Sequence, residues 1–211
     1  LFKAEIPGGS TVEQMQPRLA ETAKILWKTY LALTIIEIIA LLFAGLDLFD
    51  AVCHTFSTVA TGGFSPHNGS VGIFDNIYIE AIIILFMFFG GINFALHSQI
   101  ARGNFAGVLK NPEFRSYCSM LIIGILLVTW GLTRVSPDGD AGEAFRSAAF
   151  TVVSIQTTTG FVTEDFNLWP EYLKLLILGM MMIGGCSGST SGSFKVIRFI
   201  ILIKIITREL I

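Results

Sequence analysis

The chain has 211 residues, of which 53% are hydrophobic and only 14% are charged, and its mean hydropathy is +0.69. This composition excludes an ordinary soluble domain and is typical of an integral membrane protein. Its cysteines are three in number, widely spaced and in apolar surroundings. They match neither a metal site nor a disulfide framework, so we expect Cys53, Cys118 and Cys186 to pack as small apolar side chains.

Four apolar segments are long enough to cross a bilayer, which takes about 20 residues. The predicted spans cover residues 29–46, 77–97, 114–132 and 172–206. The fourth is too long for one straight helix, and ten residues at 184–193, four of them Gly, interrupt it. Each Gly weakens a helix by about 1 kcal/mol relative to Ala. We therefore expect unwound backbone in this segment, which we name the Gly/Ser loop.

A short element occurs twice, once between the first and second spans and once between the third and fourth. FSTVATGGF, residues 56–64, returns 97 residues later as VSIQTTTGF. Each copy ends a short segment that is compatible with a helix, residues 47–59 and residues 141–156, and Asp47 and Asp140 are placed to cap these helices. Both helices are too short to cross a membrane. We expect them to be re-entrant, each returning as extended chain.

The extended chain after each re-entrant helix predicts a selectivity filter for a cation. We name residues 59–63 the first Thr/Gly loop and residues 157–160 the second Thr/Gly loop. A cation that leaves water needs its hydration shell replaced, and backbone carbonyl oxygens can replace it without fixed charge. Gly63 and Gly160 allow the torsions that turn carbonyls inward, and each helix directs its partially negative C-terminus at the same path. The sequence thus favours a pore over an enzyme.

The distribution of Lys and Arg predicts an orientation. Ten basic residues lie before the first span, between the second and third, or near the end of the chain, whereas three lie on the side of the Thr/Gly loops. By the positive-inside rule, both ends of this segment are cytoplasmic and the Thr/Gly loops face outward. Acidic residues predominate on that outer side and would raise the local concentration of cations.

Three motifs, in this order, resemble the Trk/Ktr/HKT superfamily of potassium transporters, in particular its bacterial Trk-type membrane subunit. They are GGF, TTTGF, and GGCSGSTSGSFK followed by VIR. The resemblance implies an all-α, potassium-channel-like membrane fold with four repeats of span, re-entrant helix, filter loop and span around one pore. It also implies that residues 1–109 are the second repeat and residues 110–211 the third. Because the first and fourth are missing, we expect the chain to be a fragment.

The resemblance further implies the residues that bind the ion and those that close the path. Potassium is expected at filter residues Val59, Ala60, Thr61, Gly62, Gly63, Thr157, Thr158, Thr159 and Gly160. The implied gate consists of Gly184, Gly185, Cys186, Ser187, Gly188, Ser189, Thr190, Ser191, Gly192 and Ser193, with Lys195 beside it. Two alternatives stay open: the Gly/Ser loop as a packing kink among small residues, and Lys195 as a side chain that snorkels to the cytoplasmic surface.

The implied function is potassium uptake across a bacterial plasma (inner) membrane, with potassium as the substrate and no cofactor in this chain. Besides the lipid bilayer, the implied partners are a second copy in a homodimer and a cytoplasmic ring of nucleotide-binding regulatory subunits. No nucleic acid is expected.

Two other functions fit parts of the sequence. A secondary cation carrier would share the broken fourth span. An intramembrane serine protease would use the Gly-Cys-Ser-Gly run at residues 185–188, but no histidine follows residue 97 to serve as its base.

Two carboxylates lie in or at the edge of the spans, and an intramembrane carboxylate is a functional candidate. Glu80 lies near a span end, where we expect interfacial solvation, whereas Glu37 lies deeper and needs a partner or water. The three histidines, His54, His67 and His97, show no metal-ligand spacing and are expected to be structural.

Overall fold

The structure, a computed structural model, describes residues 12–135 and 140–210. These two ranges fold almost entirely as α-helices, and their only β-structure is one isolated β-bridge. The helices are α1 (Val12–Phe43), α2 (Leu48–Val59), α3 (Ile77–Gly90), α4 (Phe94–Ala101), α5 (Phe105–Lys110), α6 (Pro112–Val135), α7 (Ala141–Gln156), α8 (Glu171–Met181) and α9 (Val196–Leu210). An all-α membrane fold, as predicted, follows from these helices and their apolar composition.

Two helices are by themselves long and apolar enough to cross a membrane: α1 over Ala23–Phe43, and α6. At about 1.5 Å per residue they measure roughly 32 and 36 Å, enough for a hydrocarbon core of about 30 Å. Large apolar side chains such as Ile36 and Leu126 lie exposed along them. These faces are suited to lipid or to further membrane helices.

The second predicted span, residues 77–97, is not one continuous helix. Helices α3 and α4 meet at an angle of 105° across a short break. The break follows Gly90 and Gly91, two poor helix formers, and Asn93 starts α4 by accepting a hydrogen bond from the Ala95 N–H at 2.9 Å. Helix α3 alone, at 14 residues, is about 21 Å long and too short to cross. The structure thus has a second break that the sequence analysis did not predict.

The fourth predicted span is interrupted between α8 and α9. The two ends of the Gly/Ser loop are held together by a parallel bridge between Ile183 and Phe194. There the Gly184 N–H donates to the Phe194 carbonyl at 3.0 Å, and the Phe194 N–H donates to the Met182 carbonyl at 3.3 Å. The residues that precede and follow the Gly/Ser loop therefore lie side by side.

Helices α2 and α7 occupy the segments predicted to be re-entrant. Asp47 caps α2, and Asp140 caps α7 by accepting from the Gly142 N–H at 2.9 Å. Helix α7 is the more deeply buried of the two and packs on α6, α8 and α3, whereas α2 packs on α1 and α3. The largest fully buried apolar side chains around them include Leu41, Ile83, Met87, Tyr117, Phe150 and Phe161.

An ion pair joins α3 to α7 and so links the two copies of the repeated element. Arg146 donates to both carboxylate oxygens of Glu80, at 2.7 and 2.8 Å, and to Asp75 at 3.1 Å. The Glu80 side chain is only 5% exposed. The expectation of interfacial solvation for Glu80 was therefore wrong, because a bidentate guanidinium takes the place of water.

Candidate functional site

Helices α2 and α7 end in the same hydrogen-bonded turn. After α2, the Thr61 N–H donates to the Thr58 carbonyl at 2.9 Å, and the Gly62 N–H donates to the Ser57 carbonyl at 2.7 Å. After α7, 97 residues further on, Thr158 and Thr159 donate to the matching carbonyls at 3.0 and 2.9 Å. This pattern is a Schellman motif. Each of these two helices thus leads into its Thr/Gly loop through the same turn.

The backbone torsions of the two Thr/Gly loops match as well. Thr61 and Gly63 have φ of 51° and 68°, and their counterparts Thr158 and Gly160 have 59° and 87°. Gly adopts such angles readily, but a β-branched Thr at positive φ is an outlier. Strain of this kind persists where the surroundings impose it, often at functional sites.

A serine from each re-entrant helix fastens the far end of its loop. The Ser57 hydroxyl accepts from the Phe64 N–H at 2.5 Å, and the Ser154 hydroxyl donates to the Phe161 carbonyl at 2.7 Å. Ser57 and Ser154 occupy the same position in the two copies, although one accepts and the other donates. Each loop is therefore fixed at both ends to its own helix.

The turn and the serine contacts leave loop carbonyls available for another ligand. Within the ranges 12–135 and 140–210, no hydrogen-bond donor reaches the carbonyl oxygens of Thr61, Gly62 or Thr158, whereas the Thr159 carbonyl packs against Gly63. Gly62 and Gly160 are exposed, which leaves part of each loop open. Carbonyl oxygens without donors, next to two helix C-termini, form a surface that attracts a cation.

The two Thr/Gly loops lie against each other. A Cβ atom added at Gly63 would collide with the backbone carbonyl of Thr159 and come within 3.1 Å of the Gly160 carbonyl carbon. Gly63 therefore serves two requirements, a positive φ and close approach to the second loop. The two predicted filter segments, distant in sequence, form one continuous surface.

The Gly/Ser loop contacts the second Thr/Gly loop directly. The Gly192 N–H donates to the Thr158 hydroxyl at 2.6 Å. At the other end, the side-chain amide of Gln156, the last residue of α7, donates to the carbonyls of Ile183 and Gly184 at 2.9 and 3.2 Å. The loop predicted to be a gate is thus bonded to the loop predicted to be a filter.

The Gly/Ser loop also fills the break between α3 and α4. The Thr190 N–H donates to the Gly90 carbonyl at 3.2 Å, and the Cys186 N–H donates to the Gly91 carbonyl at 2.9 Å. In return, the Phe94 N–H donates to the Gly188 carbonyl at 3.0 Å. The backbone groups freed by one broken span are satisfied by those of the other, as unwound backbone in a membrane requires.

Two charged side chains hold the Gly/Ser loop from the side of α6 and α9. Glu113, buried at the start of α6, accepts from the Ser187 N–H at 2.6 Å. Lys195 donates to the Ser191 carbonyl and reaches the Ser189 hydroxyl at 3.5 Å. Lys195 points into the loop, which disagrees with the alternative of a side chain snorkelling away from it.

A histidine network surrounds the exit of the first Thr/Gly loop. The His67 ring bonds through Nε2 to both carboxylate oxygens of Asp50 at 2.9 Å, and the backbone N–H of His67 donates to the Ser65 hydroxyl at 3.1 Å. His54 bonds through Nδ1 to the Asp50 carbonyl, and its Nε2 lies 3.0 Å from the Ser65 hydroxyl. These contacts fasten residues 65–67 to α2, which agrees with a structural role for both histidines.

The serine-protease alternative finds no catalytic geometry in the described part of the chain. His97 bonds through Nε2 to the Phe89 carbonyl at 3.0 Å, and the Ser187 backbone N–H donates to Glu113. No described histidine is hydrogen-bonded to Ser187. Among the described residues, no three His, Cys, Asp or Glu side chains are arranged so that they could hold a metal ion.

The structure brings all three predicted segments together and adds residues that the sequence analysis missed. Gly90 lies between them, because a Cβ there would come within 3.4 Å of both Thr61 and Thr190. Glu113 and Gln156 were also missed. For Gly90 a signal was present in the Gly-Gly pair followed by Asn93, but the apolar residues on both sides concealed the break.

An all-α membrane protein with two copies of a short helix that ends in the same Thr/Gly turn, in contact with an unwound segment, has features of the ion-transport class. The chain belongs to the TrkH family of cation transport proteins, whose model matches residues 9–210. The resemblance drawn from three motifs is thereby confirmed, as is the prediction that the chain is not an enzyme.

Curated relatives and a solved structure agree with this assignment. The chain is 42% identical over 211 residues to the Trk system potassium uptake protein TrkH of Escherichia coli K12, covering 100% of the chain and 44% of that protein. It is 35% identical over 209 residues to TrkG of the same strain, covering 97% of the chain and 42% of that protein. The crystal structure of the potassium transporter TrkH from Vibrio parahaemolyticus matches with a TM-score of 0.87 at 41% identity, covering 97% of this chain and 43% of that one. The chain thus spans less than half the length of these relatives.

Proposed function

We propose that this chain forms two adjoining walls of a pore through which potassium is taken up. The observation that carries the proposal is the repeated turn, with positive φ at the same two positions of both Thr/Gly loops. The loops lie against each other and keep carbonyl oxygens without donors. Relatives over 40% identical are named as potassium uptake proteins, which supports potassium as the ion.

The filter in this proposal works by exchanging ligands. Carbonyl oxygens of residues 59–63 and 157–160 replace water around the ion, while the C-termini of α2 and α7 stabilise its charge. The Schellman turns direct loop N–H groups back to the helices, which keeps donors away from the ion path. Residues 1–109 and 110–211 would then be the second and third of four repeats, in keeping with the 97-residue offset.

The Gly/Ser loop acts as the gate in this proposal. In the structure it is hydrogen-bonded to Thr158, to Gly90 and Gly91 at the α3–α4 break, and to Glu113. It therefore lies directly beside the second Thr/Gly loop. The ammonium group of Lys195 on this side would repel a cation that leaves the filter. Moving the loop aside would open the path.

The remaining parts of the proposal concern the membrane and the partners. The distribution of basic residues supports cytoplasmic ends for this segment in the bacterial inner membrane, with the filter loops outside. The family resemblance alone supports the homodimer and the cytoplasmic nucleotide-binding ring.

A secondary carrier is a second candidate because two of the predicted spans are interrupted, between α3 and α4 and between α8 and α9, and the interruptions meet. Broken helices around a central site are typical of carriers. A pore and a carrier differ in flux, since only the pore gives single-file, channel-like current through one open state. Saturating, slow exchange without channel-like current would favour the carrier.

The proposed filter can be tested with two glycines of similar torsion. In the complete reading frame that encodes this chain, Gly160→Val should abolish potassium-dependent growth of an uptake-deficient host or change its ion selectivity. Gly103→Val is the matched control: Gly103 has φ 77°, against 87° for Gly160, and both lack described neighbours within 4 Å of an added Cβ. Growth and rubidium uptake that are equal in the two variants would contradict the filter assignment.

A further inference from the structure

A carboxyl group lies fully buried in α1 without a hydrogen-bond partner among the described residues. Glu37 is 0% exposed, and neither of its carboxylate oxygens has a partner. It lies within the apolar stretch Ala23–Phe43. Further repeats around this chain could only bury it more. An isolated ionised carboxylate is strongly disfavoured in such surroundings, so the group must be neutral or satisfied by a ligand.

A buried threonine of α2 faces this carboxyl group. Helix α2 packs along α1, and the Glu37 carboxyl group faces the hydroxyl of Thr58, which is 0% exposed. Two polar groups are therefore buried together behind the first re-entrant helix.

The hydrogen bonds already made decide which protonation state fits. The Thr58 hydroxyl donates its only proton to the His54 carbonyl at 2.7 Å, so its oxygen can only accept another bond. An ionised Glu37 also only accepts, and two acceptors cannot bond. A protonated Glu37 can donate to Thr58, directly or through one water.

We propose that Glu37 is held as a neutral carboxylic acid that, with Thr58, supports the first Thr/Gly loop from behind. This inference rests on the proposed filter and makes Glu37 a positioning residue for it. The link is short, since the Thr58 carbonyl accepts the Thr61 N–H at 2.9 Å, and Thr61 holds a φ of 51°. Loss of the donor at Glu37 would free Thr58 and relax the loop geometry that Thr61 begins.

The second copy of the element shows that packing alone does not require this polar group. The position 97 residues after Thr58 is Ile155. Helix α7 nevertheless packs closely on α6 and ends in the same Schellman turn. The polar support is therefore specific to the first loop.

Rubidium uptake by variants of the complete transporter tests the inference. Glu37→Gln keeps a donor for Thr58, so its KM for rubidium and its exclusion of sodium should stay within twofold of the unmodified protein. Glu37→Leu removes the donor and should raise KM at least fivefold and admit sodium. Thr34→Val is the control, because the buried Thr34 hydroxyl bonds only within its own helix, to Tyr30.

The outcomes separate this inference from the proposed function. If Glu37→Leu has the same KM and selectivity as Thr34→Val, Glu37 does not support the loop. If Glu37→Gln is as impaired as Glu37→Leu, Glu37 is not held in the neutral state. If the unmodified protein takes up no rubidium, the proposed function fails instead. Infrared spectroscopy then still applies: the carbonyl-stretch band of a protonated carboxyl group should be present and should vanish in Glu37→Gln. Its absence from the unmodified protein would refute the inference, even if Glu37→Leu does not fold.

Discussion

Replacing Gly63 with Ala should disturb the proposed filter through two separate effects. An L-residue at a φ of 68° is destabilised by about 1–2 kcal/mol. The added Cβ also collides with the Thr159 carbonyl, which belongs to backbone and cannot rotate away. Overpacking of this kind costs about 1–3 kcal/mol. The total is about 2–5 kcal/mol, and part of it is relieved only by displacing the second Thr/Gly loop.

Two other glycines separate these effects. Gly45 has a φ of 102° and no neighbour within 4 Å of an added Cβ, so Gly45→Ala carries only the torsional part, about 1–2 kcal/mol. Gly179 lies in α8 with no such neighbour and no positive φ, and Gly179→Ala should stabilise by up to about 1 kcal/mol. The expected order of stability is Gly179→Ala, unmodified, Gly45→Ala, Gly63→Ala.

Thermal unfolding of the purified transporter, in potassium and in choline, measures both stability and ion binding. A ligand present at 100 times its Kd stabilises by about 2.7 kcal/mol, which appears as a higher Tm in potassium. Gly63→Ala should lose this potassium-dependent rise in Tm, whereas Gly45→Ala and Gly179→Ala should keep it. A Gly63→Ala protein with the Tm of Gly45→Ala and an intact potassium increment would refute the reasoning.

Three further predictions follow from contacts around the loops. Glu113→Gln weakens a charged hydrogen bond to the Gly/Ser loop by about 1 kcal/mol, so rubidium flux should rise roughly fivefold, and unchanged flux would remove Glu113 from the gate. Thr158→Val removes the acceptor for the loop's Gly192 N–H, and should also raise flux, measured in the same assay with expression matched. Arg146→Met leaves the buried Glu80 carboxylate unpaired and should destabilise by about 3 kcal/mol in chemical unfolding. An Arg146→Met protein as stable as Lys174→Met, which breaks an exposed pair with Glu171 and an exposed hydrogen bond to the Asn167 carbonyl, would contradict that assignment.

The sequence predicted those features that depend on local chemistry. Asp47 and Asp140 could be recognised as caps because a short polar side chain satisfies free N–H groups at a helix start. The Gly/Ser loop could be recognised because Gly and Ser favour unwound backbone. The special torsions at Gly63 and Gly160 were also predicted, whereas the Schellman turns and the positive φ of Thr61 and Thr158 were not.

The features that the sequence did not reveal depend on distant contacts. Glu113 meets Ser187 across 74 positions, and Arg146 meets Glu80 across 66, so nothing near either residue indicates its partner. The break after Gly90 was hidden because Ile92 and Phe94 continue the apolar run, and hydropathy averages over two glycines.

The meeting of the two broken spans sets an energy threshold for movement. If the Gly/Ser loop is the gate, as proposed, seven hydrogen bonds between it and other elements would have to break together: four at the α3–α4 break and one each with Gln156, Glu113 and Thr158. At a net of about 0.5–1.5 kcal/mol each, they hold the loop in place by roughly 4–10 kcal/mol. Unaided, the loop would then be displaced in only about one molecule in a thousand to one in ten million. A signal that opens the proposed gate would have to supply free energy of that size through differential binding to the displaced state.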